Sequence, residues 1–370
     1  MWFLRLELDN KAEKYGCSSK NQIYYYQLSS SRQEARRSKW FSTCLRFLNC
    51  FTCARLYKLT VIIGIDLVGD KIEIVEVGPR DGLQSQSELI DTDVKLQLIN
   101  RLIDAGVKRI EVASFVNPAR VPQMADIDEL IPKLKKSEST SYIGLVLNER
   151  GLERALDTEL DEINAVIVTT DTFCLKNQGK KSDEMLKSVK RMAKLAQGAN
   201  RFFGVTIGAS FGCPFEGEVS PSKVLELVNT LVDMGVSEIA LADTIGAAVP
   251  SDIRRVVDTI GKTIQGTPLR MHFHNTRNTG IANVAAAIDS GVRIIDASCG
   301  GVGGCPFAPR ATGNVGTEDV LYMLHRMGYS TGIDVQKIIE ASGWLEGPLK
   351  SETPAMMSKA GLFPPELSSI

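Results

Sequence analysis

Two histidines one residue apart, His272-Phe273-His274, are the side chains of this chain best suited to hold a metal ion. On a strand, successive side chains alternate faces, so both imidazoles would project to one side. Such a pair binds a divalent cation when a carboxylate joins it. Acids stand where two other β-branched or apolar runs stop: Asp81 after Ile72-Glu73-Ile74-Val75-Glu76-Val77-Gly78-Pro79-Arg80, and Asp243 after Glu238-Ile239-Ala240-Leu241-Ala242. An isolated His-x-His is more often a core histidine bonded to backbone; the acids turn the reading toward a metal site. The side-chain amide of Asn314 is a candidate further ligand. Mixed nitrogen and oxygen donors suit Mg²⁺ or Mn²⁺ better than structural zinc, which prefers thiolates.

Three more residues carry chemistry. Arg80, beside Asp81, offers a guanidinium that can polarise a carbonyl or hold a developing enolate. Glu111 is a lone charge in the run Ile110-Glu111-Val112-Ala113 and could pair with Arg80; the two roles are compatible, since a fixed guanidinium is better preorganised. Cys305 lies in Gly300-Gly301-Val302-Gly303-Gly304-Cys305-Pro306-Phe307. Loops of this kind are commonly plain turns, but a mobile thiol closing over a metal site can serve as a general acid.

To converge, these groups need a scaffold that gathers strand ends. From Ile72 on, short β-branched runs alternate with amphipathic stretches, at Ile72–Val77, Arg109–Ala113, Tyr142–Leu147, Ile163–Thr169, Phe203–Ala209, Glu238–Leu241, Leu269–His274 and Arg293–Ala297. Alternation of this kind predicts βα units around a parallel sheet, and eight strands predict a (β/α)8 TIM barrel. Between them, Asp91 to Ala105 reads as a helix with Val94, Leu98, Leu102 and Ile103 on one face, and Ser220-Pro221 as a capped helix start. The endings Asp-Ala-Gly-Val, Asp-Met-Gly-Val and Asp-Ser-Gly-Val, from 104, 233 and 289, repeat one helix-to-strand turn. An open doubly wound sheet is the competing architecture, and no Gly-x-Gly-x-x-Gly follows the first run to support it. The barrel is expected at about 72–325, within a domain of 65–345, followed by a short helical tail at 346–370.

The chain has 370 residues, 44% of them hydrophobic, and a formal net charge of −1. That is enough for a large core and gives no general affinity for nucleic acid or an anionic membrane. Eight cysteines without a framework spacing point to a reducing compartment. The segment through Thr60 differs, with eleven Lys or Arg against four acids. It reads as a basic extension, disordered or mis-started, or as a leader; the compartment is accordingly cytoplasmic, or the mitochondrial matrix if residues 1–60 are a transit peptide.

Taken together, these motifs resemble the 3-hydroxy-3-methylglutaryl-CoA lyase family, metal-dependent aldolase barrels that share an Asp-Arg-Glu constellation. Glu76-Val77-Gly78-Pro79-Arg80-Asp81-Gly82-Leu83-Gln84 is similar to the family's opening signature. Ser114-Phe115-Val116-Asn117-Pro118, Gly212-Cys213-Pro214-Phe215-Glu216-Gly217, Ala242-Asp243-Thr244-Ile245-Gly246 and Gly303-Gly304-Cys305-Pro306-Phe307-Ala308 are similar to later blocks, and the likeness covers about 70–340. The resemblance implies that Asp81, His272, His274 and Asn314 bind Mg²⁺ or Mn²⁺ and that Arg80 steadies a thioester enolate. It further implies that Glu111 and Asp243 support the substrate, that Cys305 is a mobile acid, and that the partner is an acyl-CoA, in a homodimer. The implied reaction splits 3-hydroxy-3-methylglutaryl-CoA into acetyl-CoA and acetoacetate, a ketone body, as in leucine breakdown.

One departure bears on the acyl group. Where that family typically reads His-x-His-Asp-Thr-Tyr-Gly-Gln, this chain reads His272-Phe273-His274-Asn275-Thr276-Arg277-Asn278-Thr279-Gly280. An amide replaces an acid and a cation is added, which admits citramalyl-CoA or a longer homologue as substrate. Claisen synthases of the isopropylmalate or homocitrate type share His-x-His-Asn, but the roughly 45 residues after His325 are fewer than the roughly 50 of a small domain, so their regulatory domain is not expected. A silent acyl-CoA-binding barrel would have lost Asp81 or a histidine, and neither is missing.

Overall fold

The β-branched runs become eight parallel strands in a computed structural model. These are β1 Glu73–Glu76, β2 Arg109–Ser114, β3 Ser141–Val146, β4 Glu162–Val168, β5 Phe202–Gly208, β6 Glu238–Asp243, β7 Leu269–Phe273 and β8 Ile294–Ala297. They pair in chain order, and β8 pairs with β1 to close the barrel. The expected (β/α)8 TIM barrel is therefore what the chain forms. The structure describes residues 70–364 except 137, 138, 265, 306 and 307, with only backbone for 305 and 308–312. Before residue 70 it describes only the backbone of the paired two-residue strands Trp2–Phe3 and Gln27–Leu28. The chain divides into two compact units, Met1–Gly69 and Asp70–Ile370, and the leader or extension read at 1–60 lies outside the described residues.

Helices cover the outside of the barrel: α1 Thr92–Asp104, α2 Ile127–Leu130, α3 Glu149–Leu156, α4 Asp171–Gln178, α5 Ser182–Gly198, α6 Pro221–Asp233, α7 Pro250–Ile260 and α8 Gly280–Asp289. Helix α6 begins as its sequence dictates, with the Ser220 hydroxyl accepting from Lys223 N at 3.3 Å and Pro221 as first helical residue. Leu98 and Leu102 of α1, Val228 of α6 and Val284 of α8 are sealed in one continuous core with Ile110, Ile163, Val205 and Ile239 of the strands. Truncating one such leucine to alanine would cost about 2–5 kcal/mol. The buried face of α1 is rotated from the expected one: Lys95 is 2% exposed, while Val94 and Ile103 are only partly buried. Lys95 is tolerated there because its ammonium donates to Gln123 O and to Asp126 Oδ1, the latter at 2.7 Å.

After β8 the chain makes a short hairpin, β9 Gly304–Cys305 with β10 Ala308–Thr312, then α9 Thr317–Arg326 and α10 Val335–Leu349. Helix α10 packs on α1 and on the turn Cys299–Gly301 that leads out of β8. Among the described residues, no helix is long and apolar enough to cross a membrane.

Candidate metal centre

The C-terminal mouth of the barrel opens into a cavity of about 870 Å³, walled by Arg80, Asp81, Glu111, His272 and His274 among others. Strand β1 does not simply stop there. Gly82 N donates to Val77 O at 3.1 Å, five residues back, so Gly78–Gly82 forms one wide turn of π-helix. Pro79 starts that turn without needing a donor, and Gly78 lies so near Glu76 that a Cβ there would sit 2.6 Å from Glu76 Oε1. The widened turn brings Arg80 and Asp81 to the rim side by side.

His272 and His274 reach the same rim from β7, their rings 5.1 Å apart. One liganding atom each from Asp81, His272 and His274 lies within 4.8 Å of the others, the one such acid, cysteine and histidine group among the described residues. Asn314 joins them across the bridge that it forms with His274, donating through Nδ2 to Asp81 Oδ2 at 2.9 Å and to Val302 O at 3.1 Å. A side chain at Gly303 would strike Asn314 Nδ2, so this close approach requires glycine.

Two orphaned polar atoms test whether a cation fits. His274 Nδ1 and Asn314 Oδ1 are buried with no hydrogen-bond partner among the described residues. Buried polar groups ordinarily find partners, and a nitrogen and an oxygen left bare around a carboxylate form the donor set of a hard or borderline divalent ion. The electrostatics agree. Burial raises the Asp81 carboxyl, but Arg80 and the two histidines outweigh it and hold Asp81 near 2, ionised at any physiological pH. Burial, with the neighbouring His272 charge, lowers His274 to about 4, so it stays neutral and able to coordinate. Burial also opposes charge on His272, but Asp296 outweighs it and the net shift is upward.

Arg80 donates through Nη1 to Asp81 Oδ1 at 2.7 Å and through Nη2 to Glu111 Oε2. Its Nε and the Glu111 Oε1 are buried without hydrogen-bond partners among the described residues. The Arg80–Glu111 pairing expected from sequence is thus present. Asp243 is fully buried, and its two oxygens accept from Ala247 N at 2.9 Å and Ala248 N at 3.0 Å. It shapes the loop after β6, whose Thr244 lines the cavity. Cys305 lies on β9, and its side chain is outside the described residues.

The departure after His274 has a structural use. Asn275 Oδ1 accepts from Gly280 N at 3.0 Å at the start of α8, and Arg277 Nη1 donates to Ile245 O and Gly246 O at 2.8 and 2.9 Å. The added cation braces the β6 loop rather than entering the metal group.

Several neighbours of the site are not evident from the sequence. Asp296, on β8, meets His272; Arg270, Asn164 and Thr206 line the cavity floor; Arg120, Lys176 and Lys180 line its outer wall. None of these three cations pairs with a described acid, and Lys176 Nζ sits 4.0 Å from the centre of the Phe215 ring. Asp296 carried the signal already used for Glu111, an acid inside an apolar run, Ile294-Ile295-Asp296-Ala297. Glu76 was also missed: it is fully buried and accepts from Gly78 N at 2.8 Å, Cys299 N at 2.9 Å and Thr317 Oγ1 at 2.6 Å, tying β1 to the turn after β8.

Comparison with known proteins places the chain in a family. The HMGL-like family model matches residues 71–344. The chain is 41% identical to (R)-citramalyl-CoA lyase of Chloroflexus aurantiacus, over 81% of this chain and 98% of that one. It is 36% identical to hydroxymethylglutaryl-CoA lyase of Bacillus subtilis, over 77% and 95%. An HMG-CoA lyase from Acinetobacter baumannii, solved with coenzyme A and 3-methylmalate, superposes with a TM-score of 0.76 at 37% identity, covering 80% of this chain and 96% of that one. With a family match that spans the whole barrel and every rim residue just described, this chain belongs to the HMGL-like family of lyases.

Proposed function

We propose that the protein is a divalent-metal-dependent acyl-CoA lyase that cleaves 3-hydroxy-3-methylglutaryl-CoA to acetyl-CoA and acetoacetate. The observation that carries this reading is the meeting of Asp81, His272 and His274 within 4.8 Å, beside the guanidinium of Arg80 at a cavity mouth. Bound there, Mg²⁺ or Mn²⁺ would acidify the tertiary hydroxyl of the substrate and orient it against the bond to be broken. Asp81, His272, His274 and Asn314 would hold the ion.

The remaining work belongs to the chain. Transfer of the hydroxyl proton to water at the open cavity mouth lets the C2–C3 bond break, leaving a ketone and the enolate of acetyl-CoA; a proton returned to the enolate carbon completes the products, with no net gain or loss of protons. Arg80, locked between Asp81 and Glu111, presents a fixed positive charge where the thioester oxygen turns negative. Asp243 acts through the loop that it holds, and Cys305 supplies the proton to the enolate carbon. Arg120, Lys176 and Lys180, which line the cavity, suit the phosphates of the CoA nucleotide.

A second reading, citramalyl-CoA cleaved to acetyl-CoA and pyruvate, is favoured by the 41% identity to a lyase of that name. Its acyl chain is one methylene shorter, and its bond breaking is the same. Assay of the purified protein with both thioesters in parallel tests both readings. Acetyl-CoA release that EDTA abolishes and Mg²⁺ or Mn²⁺ restores is expected, and the faster substrate identifies the acyl group. A rate indifferent to EDTA would overturn the metal-dependent reading.

A further inference from the structure

We propose that Asp296 is a positioning residue for the metal centre, fixing the tautomer and ring orientation of His272 while being held itself by an ion-pair ladder that rises from the barrel floor. The inference rests on the site binding a divalent cation and not on which acyl group is cleaved.

Strand register puts the two side chains together. Asp296 of β8 pairs laterally with His272 of β7, so both project inward at the same height. Asp296 Oδ2 lies 3.1 Å from His272 Nδ1, with only 6% of the acid side chain and 12% of the imidazole exposed. A carboxylate can only accept. The proton therefore belongs on Nδ1, and Nε2 becomes the lone pair that His272 offers beside Asp81 and His274. Without such a partner a neutral imidazole is free to carry its proton on the nitrogen that must coordinate. Asp296 is outside the liganding group, so it acts on the ion through His272 alone.

The acid is also held from below. Asp296 Oδ1 stands 3.6 Å from Arg270 Nε, and the same Nε is 3.2 Å from Glu238 Oε1. Glu238 in turn receives two bonds from Arg109, at 2.9 and 3.1 Å, and Arg109 bonds Glu162 Oε1 at 2.9 Å and Glu73 Oε1 at 2.7 Å. Charges alternate in sign from floor to rim, so a rotation of Asp296 away from His272 would be opposed by its attraction to a guanidinium that is itself 3% exposed, an ion pair without a hydrogen bond. Partners of this kind on a metal-bound histidine typically change metal affinity by about 10–100-fold.

The test is made on the full-length chain without substrate, which separates it from the lyase assignment. Mn²⁺ titration followed by electron paramagnetic resonance should show Asp296→Asn raising the dissociation constant about 10–100-fold. An unchanged Mn²⁺ affinity in a folded Asp296→Asn protein would overturn the proposal and leave Asp296 as a core ion pair only. Should that variant not fold, nitrogen-15 spectra of the histidines in the unsubstituted, metal-free protein at alkaline pH decide the matter. A neutral His272 protonated on Nδ1 is expected, and a proton on Nε2 would overturn the proposal.

Discussion

Arg80 and Glu111 meet as an ion pair almost closed to water, with 11% and 3% of their side chains exposed, although they are 31 residues apart in the chain. The pair turns a flexible arginine into a fixed one, because Nη2 is spent on Glu111 and Nη1 on Asp81. A lysine keeps the charge but cannot form both contacts in one plane. Arg80→Lys should therefore lower kcat about 10²–10³-fold, the usual cost of losing an oriented donor to a developing oxyanion. Steady-state kinetics check this, with Mn²⁺ affinity as the control that should change far less.

The proposed proton donor to the enolate is Cys305, on the hairpin after β8. Cys305→Ser keeps size and polarity while raising the pKa of the donor by several units, so turnover should fall by orders of magnitude. Metal binding should persist. Turnover within twofold of the parent would return the thiol to the role of a turn residue.

If Lys176 and Lys180 meet the CoA phosphates, charge-assisted bonds of about 1.5–3 kcal/mol are at stake. The double substitution to alanine should raise KM for the CoA thioester at least about tenfold. Its effect should shrink with a pantetheine thioester that lacks the nucleotide, and an equal effect on both substrates would remove these lysines from phosphate recognition.

Glu76 makes a prediction about pH. Burial pushes its carboxyl up to about 7, against the three hydrogen bonds that it accepts. The folded protein then holds this proton through a pH range in which the unfolded chain has lost it. Stability from this group is present below the ordinary carboxylate range and is lost as pH rises toward 7. Denaturant unfolding of Glu76→Gln and of the parent, compared at pH 5 and pH 7.5, should show a smaller drop for the variant. A variant with the steeper drop would reverse the sign argued here.

By itself the sequence determined the barrel and the nature of its rim. Near-continuous β-branched runs, separated by capped amphipathic helices, call for a parallel sheet covered by helices, and eight of them favour closure into a barrel; His-x-His on a strand places two imidazoles on one side wherever that strand lies. Residues that act at the end of a run were legible because local periodicity exposes them. Apart from the pair of Arg80 and Glu111, only the tertiary structure decided which charges meet. Asp296 touches His272 because of lateral register between β7 and β8, the Arg109–Glu238–Arg270 ladder joins β2 to the distant β6 and β7, and Arg277 is spent on loop carbonyls instead of the metal group. These outcomes depend on which strands become neighbours and on how far each side chain reaches across the barrel, and no spacing along a single chain records either distance.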